Sequence, residues 1–130
     1  MGRLFDAVSA FLGICHYNGY EGEAAIELSN LAEMAEMGYP LSFRMRQEGN
    51  QWVADAEGVF AEITKALENG VTKSEIARGF LYAVADFICN ITLLLAENEE
   101  DLRQFAVSGG TFQNRILLER TIEMLEEKGY

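Results

Sequence analysis

Gln104-Phe105-Ala106-Val107-Ser108-Gly109-Gly110-Thr111-Phe112-Gln113-Asn114 reads as a short buried strand, a glycine turn and the first turn of an amphipathic helix. Such a junction can hold a nucleotide. Paired glycines let backbone N–H groups approach a ligand with no Cβ in the way, and a helix N-terminus favours anions. The stretch gains weight from two others that precede it, Gly2-Arg3-Leu4-Phe5-Asp6-Ala7-Val8 and Tyr20-Glu21-Gly22-Glu23-Ala24-Ala25.

Working outward from that junction, apolar residues recur at helical spacing in five places. Leu4, Phe5, Val8, Phe11, Leu12 and Cys15 predict a helix from Gly2 to Cys15, ended by the glycine and asparagine of His16 to Tyr20. Ala24, Ala25, Leu28, Leu31, Ala32 and Ala35 predict a second from Glu21 to Met37, stopped by Gly38 and Pro40. Leu41, Phe43 and Met45 then alternate with Ser42, Arg44 and Arg46, and the chain resumes at Trp52 and Val53 after Glu48-Gly49-Asn50, which reads as a short β-hairpin. Asp55 caps a third helix running through Leu67, with Asn69-Gly70 closing it. Thr72-Lys73-Ser74-Glu75 has the capping-box pattern and opens the most apolar helix, with Ile76, Phe80, Val84, Phe87, Ile88, Ile91, Leu94 and Leu95 along it. Leu102 to Val107 supplies a third strand, and Thr111 to Lys128 a last helix with Ile116, Leu117, Ile122 and Leu125 apolar. The sum is a helix-dominated α/β domain over residues 1–130, with a buried-type strand that the hairpin alone does not flank.

At 130 residues the chain can bury about two thirds of its unfolded surface in one core, and 49% hydrophobic with 24% charged residues is a globular composition. The formal net charge of −11, from ten basic against twenty-one acidic residues, argues against direct nucleic-acid binding. Arg44 and Arg46 read as the solvated face of a strand. Cys15 and Cys89 fall on apolar faces of predicted helices, which fits buried thiols and a cytoplasmic setting. Cys15 and His16 are adjacent with no second ligand pair, so no metal site is expected. No basic stretch followed by an apolar run marks a signal peptide, and Asp86, Asn90 and Thr92 stripe the long apolar stretch from Gly79 to Ala96, so no membrane span is expected. Ser108 lacks a nucleophile-elbow turn, and Glu97, Glu99, Glu100 and Asp101 read as a solvated helix end.

Each candidate site residue carries a plain reading beside a functional one. Asp6 sits in the first turn of a helix, where a carboxylate gains about 0.3 to 1 kcal/mol against the dipole; alternatively it hydrogen-bonds a ribose. Gly22 opens the second helix either for a tight turn or to face its N–H toward a ligand. Asn114, in the first turn after Gly109 and Gly110, is a surface helix position or an amide that donates and accepts at once.

The three stretches, in this order and over essentially the whole chain, resemble the HypF family, the carbamoyltransferase of [NiFe]-hydrogenase maturation, within its domain of the actin-like ATPase and sugar-kinase (ASKHA) superfamily. The match runs through Gly2-Arg3-Leu4-Phe5-Asp6-Ala7-Val8 on to Leu12-Gly13, through Tyr20-Glu21-Gly22-Glu23-Ala24-Ala25, and through Val107-Ser108-Gly109-Gly110-Thr111-Phe112-Gln113-Asn114. The resemblance implies a lobe that takes carbamoyl adenylate, made from carbamoyl phosphate and ATP by a neighbouring domain. The carbamoyl group then passes to the C-terminal cysteine of a partner maturation protein. It implies Asp6 on the ribose hydroxyls, Gly22 against the nucleotide, and Gly109, Gly110 and Asn114 lining the adenylate pocket.

The family's metal-binding histidine pair and aspartate fall before and after the matching region, and His16 sits in no such pair. The resemblance therefore implies a piece of a larger carbamoyltransferase domain that holds one wall of the cleft, is inactive alone, and tends to self-associate as a homodimer. Two other readings stand beside it. One is a piece of the related tRNA threonylcarbamoyladenosine transferase, against which the acidic charge and Tyr20-Glu21-Gly22-Glu23 in place of a Tyr-Pro-Gly-Gly turn both count. The other is a helical interaction module without catalysis.

Overall fold

A computed structural model describes residues 1–96 and 104–130. Five helices, a two-stranded sheet and one 3-10 turn follow one another as α1 (Gly2–Phe11), α2 (Glu23–Glu33), β1 (Arg44–Glu48), β2 (Gln51–Asp55), α3 (Ala56–Glu68), α4 (Lys73–Ala96), the 3-10 turn (Gly110–Gln113) and α5 (Arg115–Glu127). The fold is the helix-dominated α/β arrangement that the periodicity predicts. The charge run from Glu97 to Asp101 lies outside the described residues.

α4 is the hub, packed against α2, α3 and α5, while α1 packs on α2. Its start is the predicted capping box: the Thr72 N–H donates to Glu75 Oε2 at 3.0 Å and the Glu75 N–H donates to Thr72 Oγ1 at 3.3 Å. The Thr72 hydroxyl, which donates to Glu75 Oε2, and then the Thr72 N–H hold the Glu75 carboxyl below the usual carboxylate range. Ile76, Phe80, Leu81 and Val84 are fully buried, so the apolar length of α4, sufficient by composition to cross a bilayer, is used here to fill the core. Around it, the ring of Phe80 meets Phe5 edge-on at 5.3 Å and Phe43 at 6.2 Å, tying α1 and the approach to β1 to the same point. Cys89 is buried, and desolvation with help from Asp86 pushes its thiol up, as befits an inert core cysteine.

Several element ends differ from the sequence expectation. α1 stops at Phe11, four residues before Cys15, because Gly13 (φ 66°) closes a Schellman cap in which the Ile14 N–H donates to Ser9 O and the Gly13 N–H to Ala10 O. Cys15 is consequently a loop residue, its thiol directed at the Tyr17 carbonyl at 3.2 Å. α2 ends at Glu33 rather than Met37, since Arg78 of α4 donates to the Ala35 carbonyl at 2.8 Å and to Ala32 O at 3.4 Å, drawing the last carbonyls out of the helical ladder. The hairpin pairs Arg44 with Asp55 and Glu48 with Gln51 about a Gly49-Asn50 turn, with Arg44 and Arg46 exposed as expected. Asp55 caps α3 as expected, accepting from the Gly58 N–H at 3.1 Å.

The expected third strand is corrected. Leu102 and Arg103 lie outside the described residues, and among those described Gln104–Val107 joins no ladder, the sheet there consisting of β1 and β2. A buried-type run needs a flanking strand to pair with, and among the described residues β1 and β2 pair only with each other. Phe105 packs instead on the Tyr130 ring, centroids 4.8 Å apart.

The tightest backbone contact joins the segment after α2 to α4. A Cβ on Gly79 would come within 1.9 Å of the Tyr39 carbonyl oxygen, and the Tyr39 N–H donates to Glu75 O at 2.8 Å. Alanine at position 79 would gain about 1 kcal/mol of helix propensity but lose more by forcing two backbones apart. Gly79→Ala is expected to destabilise the fold by about 2 kcal/mol net in chemical denaturation. A neutral or stabilising result would mean that the two segments separate freely.

Candidate nucleotide site

Three stretches far apart in the chain meet at one cavity of about 680 Å³, a volume suited to a small organic ligand. The start of α1 supplies Gly2, Arg3, Phe5 and Asp6; the start of α2 supplies Glu21, Gly22 and the stripe Ala25, Ile26, Ser29 and Asn30; and the 3-10 turn with the cap of α5 supplies Gly110, Thr111, Gln113 and Asn114. Four of the five residues singled out from the sequence, Asp6, Gly22, Gly110 and Asn114, therefore line a common wall. Gly109 is not among the lining residues; it sits one residue back as the cap of the 3-10 turn, with φ 97°.

Each of these positions has a local cause. Asp6 is half-buried, and its carboxylate makes no hydrogen bond or ion pair with another described residue. Gly22 occupies the cap position of α2 with φ 84°, a conformation that glycine adopts without strain. The Asn18 side chain takes over the capping duty there, accepting from the Ala24 N–H at 3.1 Å, and Glu23 accepts from the Gly19 N–H. Gly110 is different: its φ is not positive, and a Cβ there would meet nothing within 4 Å. Among the described residues, neither conformation nor packing asks for glycine at 110.

Asn114 corrects an expectation. It is not in the first turn of a helix that begins at Thr111; Gly110–Gln113 forms a separate 3-10 turn and Asn114 is the N-cap of α5, its Oδ1 accepting from the Leu117 N–H at 3.0 Å. The side-chain oxygen is thus engaged at the helix end, and the NH₂ group makes no hydrogen bond with another described residue. Arg3, Glu21, Ile26, Ser29, Asn30 and Gln113 were not singled out from the sequence. The signal for the α2 members was present: Gly22, Ile26, Ser29 and Asn30 fall at steps of three and four on a face that the buried alanines do not use.

A smaller cavity of about 290 Å³ lies between α2, α4 and α5, lined by Arg78, Tyr82, Arg115 and Arg120 among others. Its guanidinium groups are already engaged, Arg78 on the Ala35 carbonyl, Arg115 with Glu119 at 3.6 Å and Arg120 with Asp86 at 3.4 Å. Among the described residues no group of three or more His, Cys, Asp or Glu side chains is placed to hold a metal ion.

The family model described as carbamoyltransferase, Kae1-like domain, second subdomain (HypF_C_2) matches residues 1–130. This chain belongs to the HypF carbamoyltransferase family. Carbamoyltransferase HypF of Synechocystis is 29% identical over 132 residues, covering 100% of this chain and 16% of that protein. The crystal structure of full-length HypF in the phosphate- and nucleotide-bound form superposes with a TM-score of 0.89 at 35% identity, over 100% of this chain and 17% of that one. A tRNA N6-adenosine threonylcarbamoyltransferase of Thermus thermophilus is 32% identical over 120 residues, or 92% of this chain and 34% of that protein. The chain thus spans about one sixth of the HypF relatives' length.

The double duty of Asn114 can be separated. Asn114→Ala is expected to cost about 1 kcal/mol of stability through the lost cap, whereas Asn114→Asp, which retains an acceptor and adds a charge favoured at that helix end, is expected to leave stability intact. Thermal melts of the two variants check this; equal losses would mean that the cap does not hold α5.

Proposed function

We propose that this chain forms one wall of the nucleotide cleft of a carbamoyltransferase, which moves the carbamoyl group from carbamoyl adenylate to the C-terminal cysteine of a partner protein during [NiFe]-hydrogenase maturation. The observation that carries the reading is the convergence of Asp6, Gly22, Gly110 and Asn114 on one cavity from three stretches that together span more than a hundred residues of sequence. Family membership and the likeness to a HypF crystallised with phosphate and nucleotide support it.

In this reading the wall binds and orients. The unpaired Asp6 carboxylate accepts from the ribose hydroxyls. Gly22 and Gly110 bring backbone close to the nucleotide, with Gly109 shaping the turn behind them, and the free NH₂ of Asn114 donates to it. Adenylation of carbamate, any metal and the thiol acceptor belong to other domains and to the partner protein. The wall's share of catalysis is positioning, which can supply several kcal/mol when the reacting groups are held in line.

The threonylcarbamoyltransferase likeness supports a second reading in which the acceptor is tRNA. The net charge of −11 weighs against it, because tRNA contact needs clustered cations.

Titration with ATP or a non-hydrolysable analogue is expected to show binding in the millimolar range, about −4 kcal/mol, as suits one wall of a cleft. Asp6→Ala is expected to abolish it. Undiminished binding by that variant would remove the ribose contact, and no binding by the wild-type chain would favour an interaction module.

A further inference from the structure

Among the described residues, Arg3 is the one basic side chain on the wall of the large cavity, in company with the carboxylates of Asp6 and Glu21. Its position is unfavourable for the fold. It is the second residue of α1, where a cation opposes the positive end of the helix dipole. It is exposed and adds nothing to the core. The usual compensation is also missing: Arg3 and Asp6 are three residues apart on one helix, at neighbouring surface positions, yet neither is ion-paired with the other or with any described residue. A five-donor fork and a two-oxygen acceptor therefore stand side by side at the mouth of one cavity, both with hydrogen-bonding capacity left over.

We infer that Arg3 reads the phosphoryl group of the nucleotide while Asp6 reads the sugar, so that the wall selects a 5′-phosphorylated nucleoside, or a mixed anhydride of one, over the bare nucleoside. The inference rests on the proposed reading of the cavity as a nucleotide site and names the part of the ligand that Arg3 recognises. The pairing suits the chemistry. A 5′-nucleotide carries a phosphate and a diol at opposite ends of one ribose, and side chains whose Cβ atoms lie roughly 5–6 Å apart, one helical turn from each other, can reach both. Guanidinium matches two phosphate oxygens in a planar, charge-assisted fork, whereas the diol offers hydroxyl donors that a carboxylate accepts. Reversing the assignments would set carboxylate against phosphate.

The test is titration of the chain and of its Arg3→Gln and Arg3→Lys variants with adenosine and with AMP, at low and at raised salt. The wild-type chain is expected to bind AMP about tenfold more tightly than adenosine, with the difference shrinking as salt rises. Arg3→Gln removes the advantage of AMP and leaves adenosine within about twofold, and Arg3→Lys keeps part of it, since charge remains without the fork. If the AMP advantage survives Arg3→Gln, or if adenosine and AMP weaken in parallel, the role given to Arg3 is wrong while the nucleotide reading stands. If neither ligand binds the wild-type chain, the nucleotide reading fails and the role of Arg3 fails with it. Matching thermal melts of wild type and variants establish that the comparison is between folded proteins.

Discussion

The approach of Gly38 and Tyr39 to Gly79 fixes the segment after α2 against the second turn of α4, closely enough that a single added methyl group at position 79 would overlap the Tyr39 carbonyl. Arg78, one residue earlier on α4, collects the carbonyls of Ala32 and Ala35 at the end of α2 and stacks over the Tyr82 ring at 5.5 Å. These contacts set where α2 ends and how it lies, with Ala24, Leu28 and Ala32 buried along its inner face. Small residues on that face let the helix come close to its neighbours, and the low entropy cost of burying alanine makes this an inexpensive way to hold it in place.

With α2 held along its length, its opposite stripe and its N-terminal end are available for something else. α1 packs against α2, and Phe5 of α1 reaches the Phe80 ring, so the start of α1 is held relative to both helices. α5 packs along α4, with Leu117 and Thr121 buried and the Thr121 hydroxyl donating to the Leu117 carbonyl at 2.7 Å. The result is that the beginnings of three helices share the rim of one cavity, each carried by a helix whose far portion is in the core. Polar groups on such a rim are positioned by burial elsewhere, which is the usual way a rigid site is built from exposed residues.

Much of this was legible in the sequence because local rules and tertiary packing agree. The capping box at Thr72 and Glu75, the cap at Asp55, the glycine closing α3 and the Gly49-Asn50 turn are all short-range chemistry, and the structure contains each of them. The misses arose where the deciding partner lay elsewhere in the chain or where two local rules competed. The Leu12-Gly13 cap outweighed the apolar spacing of Cys15, Arg78 shortened α2 from across the core, and Asn114 behaved as a cap where periodicity alone continued a helix. Gln104–Val107 shows the limit of pattern reading most clearly: apolar composition specifies that a run can be a strand, while pairing requires a neighbour that composition does not name. At the cavity, Asp6, Gly22, Gly110 and Asn114 were found through resemblance, whereas Arg3 became visible only when the three segments were seen together, and the helical spacing of Ile26, Ser29 and Asn30, present in the sequence, gained its meaning there.

For a chain of net charge −11, the anionic nucleotide proposed as its ligand poses an electrostatic question, and distance answers it. At physiological ionic strength, exposed charges act over about 8 Å, so acidic residues on far surfaces contribute little at the cavity. What a ligand meets there is local: the Asp6 and Glu21 carboxylates, the Arg3 guanidinium, the Asn114 amide and the N-terminal ends of α1, α2 and α5, whose partial positive charge acts over a single helical turn. A compact ligand that places its anionic group at the cation and its hydroxyls at the carboxylates satisfies this field. A polyanion extending beyond the cavity meets a chain with twenty-one acidic against ten basic residues and gains little from it. The same charge distribution thus favours a small mononucleotide at the cavity and disfavours a nucleic-acid backbone along it, which is the physical basis for preferring protein over tRNA as the acceptor in the proposed reaction.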